Sequence, residues 1–125
     1  MRLLVDSDVL LWHLSDDARL GPKATAAIEA STAEVLVSAA SLWEIAINVG
    51  LGKLNAPEDL PARIEPLGFG LLNVTAEDAW RVRMLAHHHG DPFDRLLIAQ
   101  AQARALSIVT GDPAFADYEV KLIWD

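Results

Sequence analysis

Four carboxylates, Asp6, Glu44, Asp94 and Asp112, stand where an apolar strand stops or a helix begins. Asp6 closes the run Leu3-Leu4-Val5, and Asp112 follows Ile108-Val109-Thr110. Glu44 lies just inside the helical stretch after Val35-Leu36-Val37-Ser38. Asp94 opens the helix Arg95-Leu96-Leu97-Ile98-Ala99. In an α/β sheet the carboxyl ends of parallel strands share one edge, and ligands bind there. Acids scattered over the sequence can therefore meet in one pocket. Like charges held that close repel unless a cation or a proton neutralises them. The pattern points to a divalent-metal site, and metal-dependent phosphodiester cleavage is a common use of one.

Each acid also has a plainer explanation. A carboxylate at a helix start caps the helix and complements its dipole. Asp91 and Asp94 are three residues apart and cannot both cap best. Asp91 fits the cap beside Pro92, which leaves Asp94 to face the strand ends. Glu44 shares a face with Ser41 and Asn48, distinct from the apolar positions Leu42, Ile45, Ala46 and Val49, so a solvated face and a site face fit it equally. Asp112 before Pro113 is ordinary turn chemistry. Asp6 resists dismissal, because a strand end inside a sheet is an expensive place for an unpaired charge. Asp8, two residues on, is expected to cap the first helix, with an outer-ligand role as the alternative.

Other chemistries find less support. His87-His88-His89 cannot all bind one metal from a helix, where consecutive residues point about 100° apart, and a polar helix end is the expectation for them. Ser38 and Ser41 have no histidine–acid partner in sequence. No phosphate-cradling or dinucleotide glycine pattern is present.

The elements that must position these acids alternate. Strands are expected at 2–5, 35–37, 71–74, 107–109 and 119–123. Helices are expected at 9–14, 23–31, 39–49, 58–67, from Thr75 to about His88, and 93–105. Ser7 or Asp8 can cap the first helix, and Thr75 with Asp78 makes a capping-box-like start. Such alternation predicts α/β layering around a mostly parallel sheet, organised as one domain over 1–125. The 125 residues are 52% hydrophobic and 22% charged, which fits a packed core and not a disordered chain. With no cysteine, disulfides and thiolate metal sites are excluded. No apolar run approaches a membrane span, and the chain opens directly on a strand pattern, so a cytoplasmic location is expected.

The net charge of −8 argues against a nucleic-acid partner only until some of the acids are assigned to metal. A groove lined by Arg81, Arg83, Arg95 and Arg104 could still accept phosphate, and the acidic surplus could equally suit a basic protein. For Trp12, Trp43 and Trp80, core packing is the expectation, with a groove for a partner helix as the alternative.

These residues together resemble a known family, the PIN-domain ribonucleases, and within it the VapC-type toxins of bacterial toxin–antitoxin pairs. Leu4-Val5-Asp6-Ser7-Asp8-Val9-Leu10-Leu11-Trp12 is similar to the opening acid strand. Val37 to Ile47, with Gly50-Leu51-Gly52-Lys53-Leu54, is similar to the second block. His88 and Asp91-Pro92-Phe93-Asp94-Arg95-Leu96-Leu97-Ile98-Ala99-Gln100-Ala101 resemble the third and most specific block, and Thr110, Asp112 and Phe115 the fourth. The resemblance implies a PIN-like three-layer sandwich, with a central, mostly parallel twisted sheet of four to five strands flanked by helices. It also implies that Asp6, Glu44, Asp94 and Asp112 bind Mg²⁺ or Mn²⁺ and activate water for RNA cleavage, with Thr110 orienting the site. An antitoxin partner and a homodimer come with it. Two positions depart from the pattern: Asp8 stands where related toxins often carry His, and Gly111 where a larger residue is common.

Two competing readings use the same residues differently. Val5-Asp6-Ser7-Asp8-Val9 also looks like the nucleophile motif of haloacid-dehalogenase-type phosphatases, with Asp6 as nucleophile and Asp8 as acid/base. That chemistry needs a well-placed Lys, and only Lys23, Lys53 and Lys121 exist. In the other reading the domain is catalytically silent and binds a protein partner.

Overall fold

The run Leu3-Leu4-Val5 is apolar on both faces, as a strand covered on both sides must be, and it becomes the centre of the sheet. A computed structural model describes residues 1–30 and 32–125. Strand β1 (Arg2–Val5) lies between β2 (Glu34–Ser38) and β4 (Ser107–Val109), with β3 (Gly70–Leu72) and β5 (Lys121–Ile123) outermost. The order is β3-β2-β1-β4-β5, and every pairing is parallel. Leu4 sits opposite Leu36 and Ile108, while Val5 sits opposite Val37 and Val109.

Side-chain alternation along these strands divides the core in two. Leu3, Val5, Val35, Val37 and Val109 face helices α1 (Ser7–Ser15), α2 (Pro22–Glu29), α3 (Ala39–Gly50) and α4 (Leu60–Arg63) through Val9, Leu10, Ala24, Ile28, Ile45 and Leu60. Leu4, Leu36 and Ile108 face the opposite way, onto Leu97, Ile98 and Ala101 of α6 (Pro92–Arg104), with Leu85, Phe115 and Tyr118. Helix α5 (Ala76–Arg81) packs beside α6. The result is the expected three-layer α/β sandwich, its five strands entirely parallel. No helix is long and apolar enough to cross a membrane among the described residues.

Several local expectations need correction. Helix α1 is capped by Asp6, not by Ser7 or Asp8: the Val9 N–H donates to Asp6 Oδ1 at 2.8 Å. Helix α2 ends at Glu29, and the expected end at Ser31 falls outside the described residues. The stretch 58–67 splits into α4 and a 3₁₀ turn, Glu65–Leu67, because Pro66 has no N–H to continue the helix. The third strand runs 70–72, not 71–74, and the last 121–123, not 119–123.

The largest difference lies after α5. That helix does begin with Thr75 and Asp78 in a reciprocal capping box, each N–H donating to the other's side chain at 3.1 Å. It then stops at Arg81, passes through a 3₁₀ turn (Val82–Met84) and leaves His87–His89 in a loop, not on a helix end. Arg95, buried to 6% exposure, packs under this turn. Its guanidinium donates to the carbonyls of Val82 (3.2 Å) and Ala86 (2.8 Å), satisfying acceptors at the end of the helix, while the Val82 carbonyl also accepts the Leu85 N–H of the turn at 3.1 Å. The proposed arginine groove dissolves with it: Arg95 is internal, Arg104 pairs with Asp78 at 2.8 Å, and Arg83 lies over the Trp80 ring at 4.7 Å. Trp43 and Trp80 are not core residues; they are 61% and 68% exposed.

Candidate active site

In this strand order the chain runs outward from β1 through β2 to β3, then returns across the sheet to β4 and β5. Such a reversal opens a crevice at the carboxyl ends of the two strands where it occurs, here β1 and β4. Asp6 follows β1, Asp112 follows β4 by way of Thr110, and the amino end of α6 brings Asp94 over the same edge. Helix α3, entered directly from β2 with Ser38 as its cap, carries Glu44 into the crevice on its second turn. All four sequence-predicted acids line one cleft of about 190 Å³. That is smaller than the usual 300–1,000 Å³ of an organic-ligand pocket and suits an ion with its waters.

Hydrogen bonds fix three of the four. Asp6 is 8% exposed, accepts from the Val9 N–H through Oδ1 and from the Thr110 hydroxyl through Oδ2. The Thr110 oxygen in turn accepts the Asp112 N–H at 3.1 Å, which ties the two strand-end acids together. Glu44 Oε1 accepts from the Ser7 hydroxyl at 2.5 Å. Asp112 Oδ1 accepts the Ala114 N–H at 2.9 Å and so caps the following 3₁₀ turn. Asp91 caps α6, as expected, through the N–H groups of Phe93 (2.8 Å) and Asp94 (3.1 Å), and it also lines the cleft.

Asp94 is different. Among the described residues no N–H or O–H donor makes a well-formed hydrogen bond to its carboxylate; His89 Nε2 lies 3.2 Å from Oδ2. Burial, then the charges of Asp91, Glu44, Asp112 and Asp6, push its carboxyl up to about 8. Burial likewise raises Asp6 to about 6, against the opposing hydrogen bonds from Thr110 and Val9. Glu44 is raised by burial and by Asp91 and Asp8, partly offset by Ser7. Among the described residues no three His, Asp or Glu side chains converge tightly enough to chelate an ion as placed. The donor set nonetheless fits a hard divalent cation: every acid offers oxygen, and each engaged carboxylate oxygen keeps a further lone pair.

The sequence pattern of the PIN domain matches residues 3–121, almost the whole chain. The chain belongs to the PIN-domain family. Members of that family are nucleases. No curated relative matches this PIN domain in sequence. Solved structures match it in fold. VapBC2 from Rickettsia felis, bound to a DNA fragment from its promoter, has a TM-score of 0.66 at 14% identity, covering 98% of this chain and 97% of the other. VapBC-5 of Mycobacterium tuberculosis, of the VapBC family of toxin–antitoxin systems, gives 0.63 at 19% identity, covering 99% and 98%. FitAcB from Neisseria gonorrhoeae gives 0.60 at 22% identity, covering 96% and 95%.

Within this PIN domain the two departures from the family pattern have structural settings. Gly111 lies against Trp124, and a Cβ there would come within 2.6 Å of the indole, so a larger residue requires that ring to move. Asp8 does not cap α1. It sits exposed in the first turn and lines the cleft, where its charge raises Asp6 and Glu44. Among the described residues no lysine lines the cleft, which leaves the phosphatase reading without the group it needs there. Sequence reasoning missed His89, which it grouped with two neighbours. No spacing rule could separate the three, because the loop that selects His89 is shaped by the distant Arg95 and Tyr118.

Proposed function

We propose that this PIN domain is a metal-dependent endoribonuclease, the toxin of a toxin–antitoxin pair, acting as a single cytoplasmic domain. The observation that carries the reading is Asp94: a largely buried carboxylate with no well-formed donor among the described residues, held among four other acids. Such a group needs a cation or a proton, and an all-oxygen cleft favours Mg²⁺ or Mn²⁺. When bound, the ion would supply an activated water and charge neutralisation at the scissile phosphate. Asp6, Asp94 and Asp112 are the proposed inner ligands, with Glu44 sharing the site from α3. Thr110 holds Asp6 in orientation and keeps Asp112 beside it; Ser7 does the same for Glu44.

The choice of RNA rests on the family resemblance of the four acid blocks. The solved neighbours named above include toxin–antitoxin assemblies, which supports an antitoxin partner here. Trp43, Ile47 and Leu51 are exposed at successive turns of α3 and its end, which supports a protein-covered face and a homodimer. The test is cleavage of RNA by the purified protein in Mg²⁺ or Mn²⁺, with the wild type set against Asp94→Asn and against chelator. Metal-dependent cleavage lost in the variant supports the proposal. A wild type that cuts no RNA yet captures its neighbour-encoded partner would favour a silent binding module.

A further inference from the structure

His89 is built into its loop from several sides. Its N–H donates to the Tyr118 hydroxyl at 3.2 Å, its carbonyl accepts from the same hydroxyl at 3.4 Å, and Arg95 Nη1 donates to that hydroxyl at 3.1 Å. The imidazole lies edge-on to the rings of Phe115 and Tyr118, each at 6.4 Å between centroids. The Asp91 N–H donates to Nδ1 at 3.3 Å. Because Nδ1 accepts, the ring proton is placed on Nε2. That atom is fully buried and has no properly aligned partner among the described residues, and it lies 3.2 Å from Asp94 Oδ2. A buried donor left without an aligned acceptor calls for an explanation, and hydrogen bonds in a site are often poorly aligned until its ligand is bound.

We propose that His89 is a positioning residue for Asp94: its Nε2–H holds Oδ2 and leaves the other carboxylate oxygen to meet a divalent cation. The chain of support runs Arg95 to Tyr118 to the His89 backbone, then through the ring to Asp94. Asp91 sets the tautomer of the ring with the backbone N–H that precedes the helix its own carboxylate caps. Residues bearing on a metal ligand in this way typically change metal affinity 10–100-fold when removed. The inference rests on the nuclease reading, since it assigns Asp94 to a cation.

The test uses Mn²⁺ binding to the intact protein by calorimetry, in wild type, His89→Gln and His89→Leu, with melting of the metal-free proteins as a check on fold. Gln can present a donor near the Nε2 position and Leu cannot. His89→Leu is expected to weaken Mn²⁺ binding by about 10–100-fold while His89→Gln stays within about threefold. The same loss in both variants, or wild-type affinity in His89→Leu, overturns the inference and leaves the nuclease reading standing. A wild type that binds no Mn²⁺ overturns both. A second readout needs no variant: ¹⁵N NMR of the wild-type imidazole is expected to show the Nε2–H tautomer with a shift at Nε2 on adding Mg²⁺. An Nδ1–H tautomer contradicts it.

Discussion

At the scale of single residues, Asp94 dominates the electrostatics of the cleft. Its carboxyl is held near 8 in the folded chain, against an ordinary value of 3.8. The native state therefore keeps a proton that the unfolded chain releases. That stabilisation is present below about pH 4 and is lost as pH rises through about 8. Asp6, held near 6, adds the same sign over a narrower window. Metal-free protein is thus expected to melt at lower temperature at pH 8 than at pH 5, measured by calorimetry in chelator. Asp94→Asn should flatten much of that slope, raise the pH 8 melting temperature by a few degrees, and cut RNA cleavage by more than about 100-fold. A variant with an unchanged pH slope would mean that Asp94 ionises freely. The acids could be read as candidates because each sits at a strand end or helix start, positions visible in apolar runs. His89 could not, since its contact with Asp94 depends on a loop fixed by residues elsewhere in the chain.

At the scale of elements, the placement of Asp94 depends on α6 being locked at both ends. Its amino end is capped by Asp91. Its far end is tied to α5 by Asp78, whose carboxylate accepts from Arg104 at 2.8 and 3.0 Å and from Gln100 at 3.1 Å. Burial opposes ionisation of Asp78, but the Arg104, Thr75 and Gln100 hydrogen bonds outweigh it and hold the carboxyl down to about 2. Its contribution is present above about pH 4 and disappears as pH falls through about 2, the reverse of Asp94. Arg104→Leu leaves the buried Asp78 carboxylate with only Gln100 and the Thr75 N–H as donors and is expected to destabilise by about 1–3 kcal/mol, read from denaturant unfolding at pH 7. A loss under about 0.5 kcal/mol would show that Gln100 and Thr75 suffice to hold the Asp78 charge. The capping box of Thr75 and Asp78 was legible from spacing alone. The early end of α5 was not, because the carbonyls that follow it are satisfied by Arg95, which lies on another helix and reads in sequence as a surface charge.

At the scale of the whole molecule, an all-parallel sheet with one reversal of strand order gathers residues 6, 44, 94 and 112 into one cleft. The alternating pattern of strands and helices made that architecture readable, since parallel strands joined by helices leave few other arrangements. What sequence could not show is which aromatic residues the fold leaves outside: Trp43 and Trp80 have the composition of core and the exposure of surface. The net charge of −8 is partly concentrated in this cleft, so a divalent ion should stabilise the fold. Mg²⁺ at a hundredfold excess over its Kd is expected to add about 2.7 kcal/mol, or roughly 10 °C in melting temperature, in wild type but far less in Asp94→Asn. The most direct test of the central claim is RNA-end sequencing after expression of wild type and Asp94→Asn side by side. New cleavage ends that appear with the wild type and vanish with the variant are expected. Identical RNA ends in the two, with both proteins folded and present in equal amount, would contradict a nuclease centred on Asp94.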